Sequence, residues 1–287
     1  MRVMILLVPG QGSQTPGLLT PVLDAPGAPE ALASFSEAAG IDLLALGTTG
    51  TAEQIRDTAV AQPLLTAAAL LSARAIESQP GAVCGHSVGE IAALAIAGVI
   101  EPITAVYLAA ERGRLMAEAS ALAPTGMCAV LGGDESEVLK AAAGAGLELA
   151  IRNAPGQLVL SGPSDRVTAF GERPPAAARV RPLATAGGFH SSAMLPAVQP
   201  LRALVSSMTA ADAAFPVIAN ADGALLTNGR ELLDRLVPQL TGPVRFDLCL
   251  ETIAGLHPTA VLELAPAGTL TAMAKRALPD TRVLVNA

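Results

Sequence analysis

The chain has 287 residues, 51% of them hydrophobic and 15% charged, with a net charge of -7. At about 150 residues per domain this is one large domain or two smaller ones, and its apolar content excludes a disordered chain. The acidic balance excludes binding to nucleic acid through overall charge, and aromatic residues at 2% leave little with which to stack bases.

Val3 to Val8 is a continuous apolar run ending at Pro9-Gly10, as expected of a strand buried on both faces. A flexible loop, Gly10-Gln11-Gly12-Ser13-Gln14, follows. Helices are predicted over 28–39 and 58–77, the second tolerating Pro63 near its start. Ala82-Val83-Cys84 reads as a short strand, and 88–97 and 102–119 as helices. The middle of the chain then reads as strand 127–131, helix 134–143 capped by Asp134, strand 147–152, a turn at Asn153-Ala154-Pro155-Gly156, strand 157–160, a helix capped by Ser164 to about Phe170, and strand 179–183. That βαββαβ order is ferredoxin-like. Helices 194–208 and 229–240, strand 260–264, helix 268–277 and a short strand at 282–285 complete the chain. Strands alternating with helices predict an α/β protein with a mostly parallel sheet. Residues 123–189 form an inserted small subdomain in this reading, and 1–122 with 190–287 form the core.

The three cysteines, Cys84, Cys128 and Cys249, are widely spaced with no CxxC, which argues against a disulfide framework or a zinc site and for a reducing cytoplasm. The three histidines are too dispersed for a metal cluster. The N-terminal apolar run is too short for a signal peptide. The longest apolar or glycine run, 91–100, falls below the roughly 18 residues of a membrane span. A soluble protein without a metal is expected.

The strongest chemical signal is Gly85-His86-Ser87-Val88-Gly89 between a strand and a helix, the setting of a nucleophile elbow. Small residues at 85 and 89 allow the sharp turn, and the helix N-terminus favours negative charge developing near Ser87. Such a serine needs a base. His86 is adjacent, but neighbouring side chains diverge at an elbow, which gives it a structural or supporting role. His190, just after the inserted subdomain, and His257, in a polar turn late in the chain, both remain open as the base.

Pro9-Gly10-Gln11-Gly12-Ser13-Gln14, Gln62-Pro63, Gly85-His86-Ser87-Val88-Gly89-Glu90, Arg112-Gly113 with Met116, and Phe189-His190-Ser191 together resemble the malonyl-CoA:acyl carrier protein transacylases and their polyketide acyltransferase relatives. The resemblance spans nearly the whole chain in the family's order. It implies an α/β-hydrolase-like core with an inserted ferredoxin-like subdomain. It implies transfer of malonyl from malonyl-CoA to the phosphopantetheine thiol of an acyl carrier protein, for fatty-acid or polyketide synthesis, with no metal or redox cofactor. Ser87 would be the nucleophile and His190 the base. The backbone N–H groups of Gln11 and Val88 would form the oxyanion hole, and Arg112 would hold the malonyl carboxylate. Met116, Gln62, Asn153 and Gln157 would contact substrate, and the carbonyl of Arg245 would orient His190. Phe189 goes with malonyl over methylmalonyl. Gly188, where the family often carries Ala or Pro, implies extra freedom before that ring.

Each of these residues also has a plainer reading. An arginine on an amphipathic helix is usually solvated, Met116 at helical spacing is usually core, and Asn153 is a turn former. A serine hydrolase or thioesterase on the same scaffold would share the elbow without needing Arg112. A malonate decarboxylase transferase subunit would share nearly all the motifs, and a carrier-protein-binding subunit without catalysis would need none of them. The chain reads as a monomer. Arginine dominates its basic residues, with Lys140 and Lys275 the only lysines, so Arg179, Arg181 and Arg276 are candidates for docking an acidic carrier protein.

Overall fold

The computed structural model describes residues 3–286. Two sheets organise them. The first has strands β1 (Met4–Val8), β2 (Ala82–Gly85), β7 (Val217–Ile218), β8 (Leu225–Leu226), β10 (Ala260–Glu263) and β11 (Arg282–Val285), in the order β11-β10-β1-β2-β7-β8. Every pairing in it is parallel except β7 with β8. The apolar run of β1 is explained by its position. Leu6 and Val8 pack into a large core on one face, with helices Thr58–Ala73 and Pro102–Ala121, while Ile5 and Leu7 pack on the other face against helices Phe246–Gly255 and Thr269–Ala277. A strand covered on both sides has no polar face to display.

The second sheet has strands β3 (Thr125–Gly132), β4 (Glu148–Ala154), β5 (Gln157–Pro163) and β6 (Ala178–Leu183), with β9 (Val244–Arg245) at one edge, in the order β6-β3-β5-β4-β9. The first four are antiparallel and carry two helices, Glu135–Gly144 and Ser164–Glu172, as a ferredoxin-like unit does. The edge strand β9 runs parallel to β4 and comes from the C-terminal third, so this sheet is not made of 123–189 alone. The fold is thus an α/β-hydrolase-like layer with a ferredoxin-like layer beside it.

Several expected elements differ in the structure. The predicted helix 229–240 stops at Arg235, because Pro238 cannot supply the next backbone N–H, and the chain continues as a 3-10 turn at Pro238–Leu240. Helix 58–77 ends at Ala73. Ser164 is the first helical residue rather than the cap; Pro163 holds the cap position without a side-chain bond. Helices Leu43–Thr49 and Phe246–Gly255 and the short strands β7, β8 and β9 are additional to the elements expected from the sequence. Asp134 caps its helix as expected, accepting from the Glu137 N–H at 3.1 Å.

A buried carboxylate ties the C-terminal helix to the sheet. Glu263, wholly buried at the end of β10, accepts from the N–H groups of Gly268, Leu270 and Thr271 at 2.8, 3.0 and 2.7 Å. It satisfies donors that open a helix, where negative charge is favoured. Glu263→Ala is expected to cost about 2–4 kcal/mol in urea unfolding; a loss under about 0.5 kcal/mol would show that water replaces the carboxylate.

Candidate active site

The C-terminal ends of β1, β2 and β7 meet at one rim of the parallel sheet, where clefts form in open α/β folds. The loop with Gln11 leaves β1, the elbow leaves β2, and Asn220 follows β7. Glycine is obligatory at the elbow. A Cβ at 85 would strike the backbone of Gly89 and Glu90, and a Cβ at 89 would strike the carbonyls of Val8 and Pro9. Ser87 itself is left-handed, with φ 53°, a conformation costing of order 1–3 kcal/mol at a residue with a side chain. Its N–H donates to Asn220 Oδ1 at 2.7 Å, and Asn220 Nδ2 donates to the Gly85 carbonyl at 2.6 Å, which pins the turn.

Ser87 Oγ lies 2.8 Å from His190 Nε2. His190 is also left-handed, with φ 57°, and its Nδ1 lies 2.7 Å from the main-chain carbonyl of Gln239. A carbonyl only accepts, so Nδ1 carries the proton and Nε2 presents a lone pair to the serine hydroxyl. The expected orienting carbonyl, that of Arg245, is not the one used. The 3-10 turn at Pro238–Leu240 leaves the Gln239 carbonyl free to face the ring, whereas Arg245 belongs to β9, donates its N–H to the Asn220 carbonyl at 2.7 Å and pairs its guanidinium with Asp247. His257, the rival base, is exposed in its turn.

Arg112 is 1% exposed, so it is not a solvated surface arginine. Its partner helices approach closely because Gly113 faces the start of helix Thr58–Ala73, where a Cβ would meet the Thr58 carbonyl. Nη1 donates to Gln62 Oε1 and Nη2 to Gln239 Oε1, each at 2.8 Å. Nε has no partner, and among the described residues no carboxylate lies within ion-pair distance. Burial lowers the guanidinium to about 10, opposed by the charge of Glu90. The same surroundings lower His190 to about 3, through burial first and the charge of Arg112 second, opposed by the Gln239 carbonyl.

A hollow of about 110 Å³ opens over the Ser87–His190 pair, lined also by Gln11, His86, Met116 and Phe189 and by the apolar Met127, Ile151, Val159 and Leu183. Gln62 and Arg112 are outside the hollow's lining; Gln62 Nε2 lies 3.2 Å from Met116 Sδ, and Arg112 connects to it through Gln62. The backbone N–H groups of Gln11 and Val88 have no acceptor among the described residues. The Gln11 side chain is held by Thr58 Oγ1 at 3.1 Å. Asn153 is buried outside the hollow's lining and steadies His86 Nε2 at 3.1 Å. Gln157 lies elsewhere, accepting from the Arg276 guanidinium at 3.1 Å, since the β4–β5 hairpin turns at Pro155–Gly156 and carries it away from the hollow. Gly188 is not free. Its N–H donates to Thr125 Oγ1, its carbonyl accepts from Ser191 Oγ, and Ser161 and Thr125 fill the space a Cβ would need, so Phe189 is firmly placed. Asn220 and Gln239 escaped the sequence reading; the only signal for Gln239 was a glutamine set between Pro238 and Leu240.

The pH dependence of stability follows from His190. Its folded value lies below the unfolded value, so the unfolded chain binds the extra proton between about pH 6.5 and 3, and acid removes stability in that window. Relative to a His190→Gln variant, the natural protein is expected to lose stability as pH falls from 6.5. Parallel stability curves in urea would contradict the depression.

The acyl transferase domain family matches residues 5–285. A malonyl CoA-acyl carrier protein transacylase of Mycobacterium tuberculosis H37Rv is 49% identical over 282 residues, covering 96% of this chain and 93% of that protein. The crystal structure of MCAT from Mycobacterium tuberculosis superposes with a TM-score of 0.95 at 48% identity, covering 99% of this chain and 96% of that one. A malonyl-transacylase solved in complex with a type II PKS acyl-carrier protein gives 0.92 at 30% identity, with 99% and 96% covered. An elbow serine bonded to a late histidine, on a scaffold shared with such relatives from end to end, means that this chain belongs to the acyl transferase family, on its malonyl CoA-acyl carrier protein transacylase branch.

Proposed function

We propose that the protein transfers malonyl from malonyl-CoA to the phosphopantetheine thiol of an acyl carrier protein through an ester on Ser87. The observation that carries this reading is the buried guanidinium of Arg112, with no ion pair among the described residues, joined to the Ser87–His190 pair through Gln239. Burying an unpaired charge is costly, and a planar fork matches a carboxylate. A hydrolase of neutral esters has no use for one.

In the first half-reaction Ser87 Oγ attacks the thioester carbonyl and its proton passes to His190 Nε2. The oxyanion takes the N–H groups of Gln11 and Val88, each such donor being worth about 100- to 1000-fold in rate. The C–S bond breaks, and His190 protonates the departing CoA thiolate. The second half-reaction reverses these steps, with the carrier thiol as nucleophile. A carboxylate seated on Arg112 offsets the charge that depresses His190, so the correct acyl group also strengthens the base. The reading requires only the two thiols and the chain's own groups. Phe189 narrows the space for an α-methyl branch, discrimination worth about 1–3 kcal/mol. Residues 123–189 act here as an inserted subdomain on a core of 1–122 and 190–287. Arg179 and Arg181, exposed on β6, are the cations offered to the carrier protein. Three buried cysteines in no disulfide suit a reducing cytoplasm, and no helix among the described residues is long and apolar enough to cross a membrane.

Intact mass spectrometry after mixing with malonyl-CoA, without acceptor, is expected to show one malonyl adduct on the natural protein and none on Ser87→Ala. Arg112→Ala is expected to lose malonyl transfer by about 100-fold or more while sparing acetyl transfer. An adduct that persists in Ser87→Ala, or equal losses for both acyl groups, would overturn the assignment.

A further inference from the structure

Glu90 closes the nucleophile motif, yet the reaction above gives it no part. It is buried on the first turn of the helix after the elbow. One carboxylate oxygen accepts from the backbone N–H of Asn220 at 2.7 Å, and the other accepts from the side-chain N–H of Gln239. Those two residues hold the rest of the site. Asn220 pins the Ser87 N–H. Gln239 offers its main-chain carbonyl to His190 and its side-chain Oε1 to Arg112.

We propose that Glu90 is a positioning residue: as a carboxylate it fixes which way the Gln239 amide points, and so keeps an acceptor on Arg112 for acyl groups that end in a carboxylate. This rests on the malonyl reading of the site. Only a carboxylate accepts on both sides. A neutral Gln, or a protonated Glu90, presents one acceptor and one donor to two N–H groups. If the Gln239 amide turns over to relieve that conflict, its NH2 faces the guanidinium and a buried charge loses an acceptor.

The carboxyl is placed to act as a switch. Burial pushes it up to about 7, with Arg112 and Arg235 pulling it down and Asp222 pushing it up. Cys84 on β2, Cys249 against both Cys84 and Asn220, and His190, across Gln239, are the other titratable groups near it. Glu90 also borders a separate hollow of about 140 Å³ with Gln239, Arg235 and Pro238, distinct from the hollow over Ser87.

The test measures Ser87 acylation from malonyl-CoA and from acetyl-CoA between pH 5.5 and 9, in the natural protein, Glu90→Gln and the double variant Glu90→Gln with Gln239→Glu. In the natural protein the malonyl-to-acetyl ratio of kcat/KM is expected to fall as pH drops through about 7. Glu90→Gln is expected to lower malonyl kcat/KM by about 10- to 100-fold at pH 8 and acetyl by much less, with a ratio flat in pH. The double variant re-pairs both donors and is expected to recover acetyl transfer but not malonyl, because the carboxylate introduced at position 239 then occupies Arg112. Equal losses for both acyl groups in Glu90→Gln, a pH limb that survives it, or a natural ratio flat in pH overturns the proposal. Failure of the natural protein to form any malonyl ester would instead overturn the malonyl reading itself.

Discussion

A positive charge taken out of water without a carboxylate beside it stays folded only if neutral acceptors surround it. Arg112 meets that condition with two glutamine side chains, Gln62 and Gln239, brought to it from different parts of the chain. Because both acceptors are amides, the guanidinium is held in place without being neutralised. An aspartate or glutamate at 62 or 239 would hold it more strongly and leave nothing for an incoming anion. The choice of amide over acid therefore leaves a buried charge that is held but not paired.

The second of those amides has work at both ends. The Gln239 side chain faces Arg112 while its main chain faces His190, so the buried guanidinium and the imidazole beside Ser87 are held by one residue. The arrangement depends on a local accident of the backbone. Pro238 ends a helix and forces a 3-10 turn, and that turn leaves a carbonyl without a helical partner at the point where the imidazole needs one. Buried networks of this kind are rigid when every member is satisfied and fragile when one is not. The strained conformations at Ser87 and His190 persist for the same reason, since Asn220 and Gln239 hold these two residues from outside their own segments.

Much of this was legible in the residues. The strand and helix on either side of the elbow follow from an apolar run that ends in small residues, and Asp134 marks its helix start because its side chain caps a specific N–H. The ferredoxin-like order could be read because its strands are long and its turn residues are strong. Strands β7, β8 and β9 could not, because two residues carry no periodicity; they exist because a neighbouring strand edge is there to pair with. Arg112 read as a surface residue by helical pattern alone, since periodicity cannot foresee a glutamine from another helix meeting it at a glycine. The Gln239 carbonyl, not that of Arg245, meets His190 for a related reason: no sequence pattern reports which main-chain oxygen a fold leaves unused.

Gly188 shows how position overrides propensity. Taken alone, a glycine before Phe189 loosens the backbone. In place, its N–H and carbonyl are both bonded and two side chains occupy the space beside its α-carbon. The missing Cβ is then a packing requirement, because Thr125 and Ser161 from the ferredoxin-like sheet press into that space. Contact of the second sheet with the loop at this glycine, rather than the intrinsic stiffness of the segment, fixes the ring that borders the hollow. The width of that hollow is thus set by how the second sheet seats on the loop, and a substitution in β3 or β5 far from Ser87 can change acyl selectivity without touching the catalytic pair.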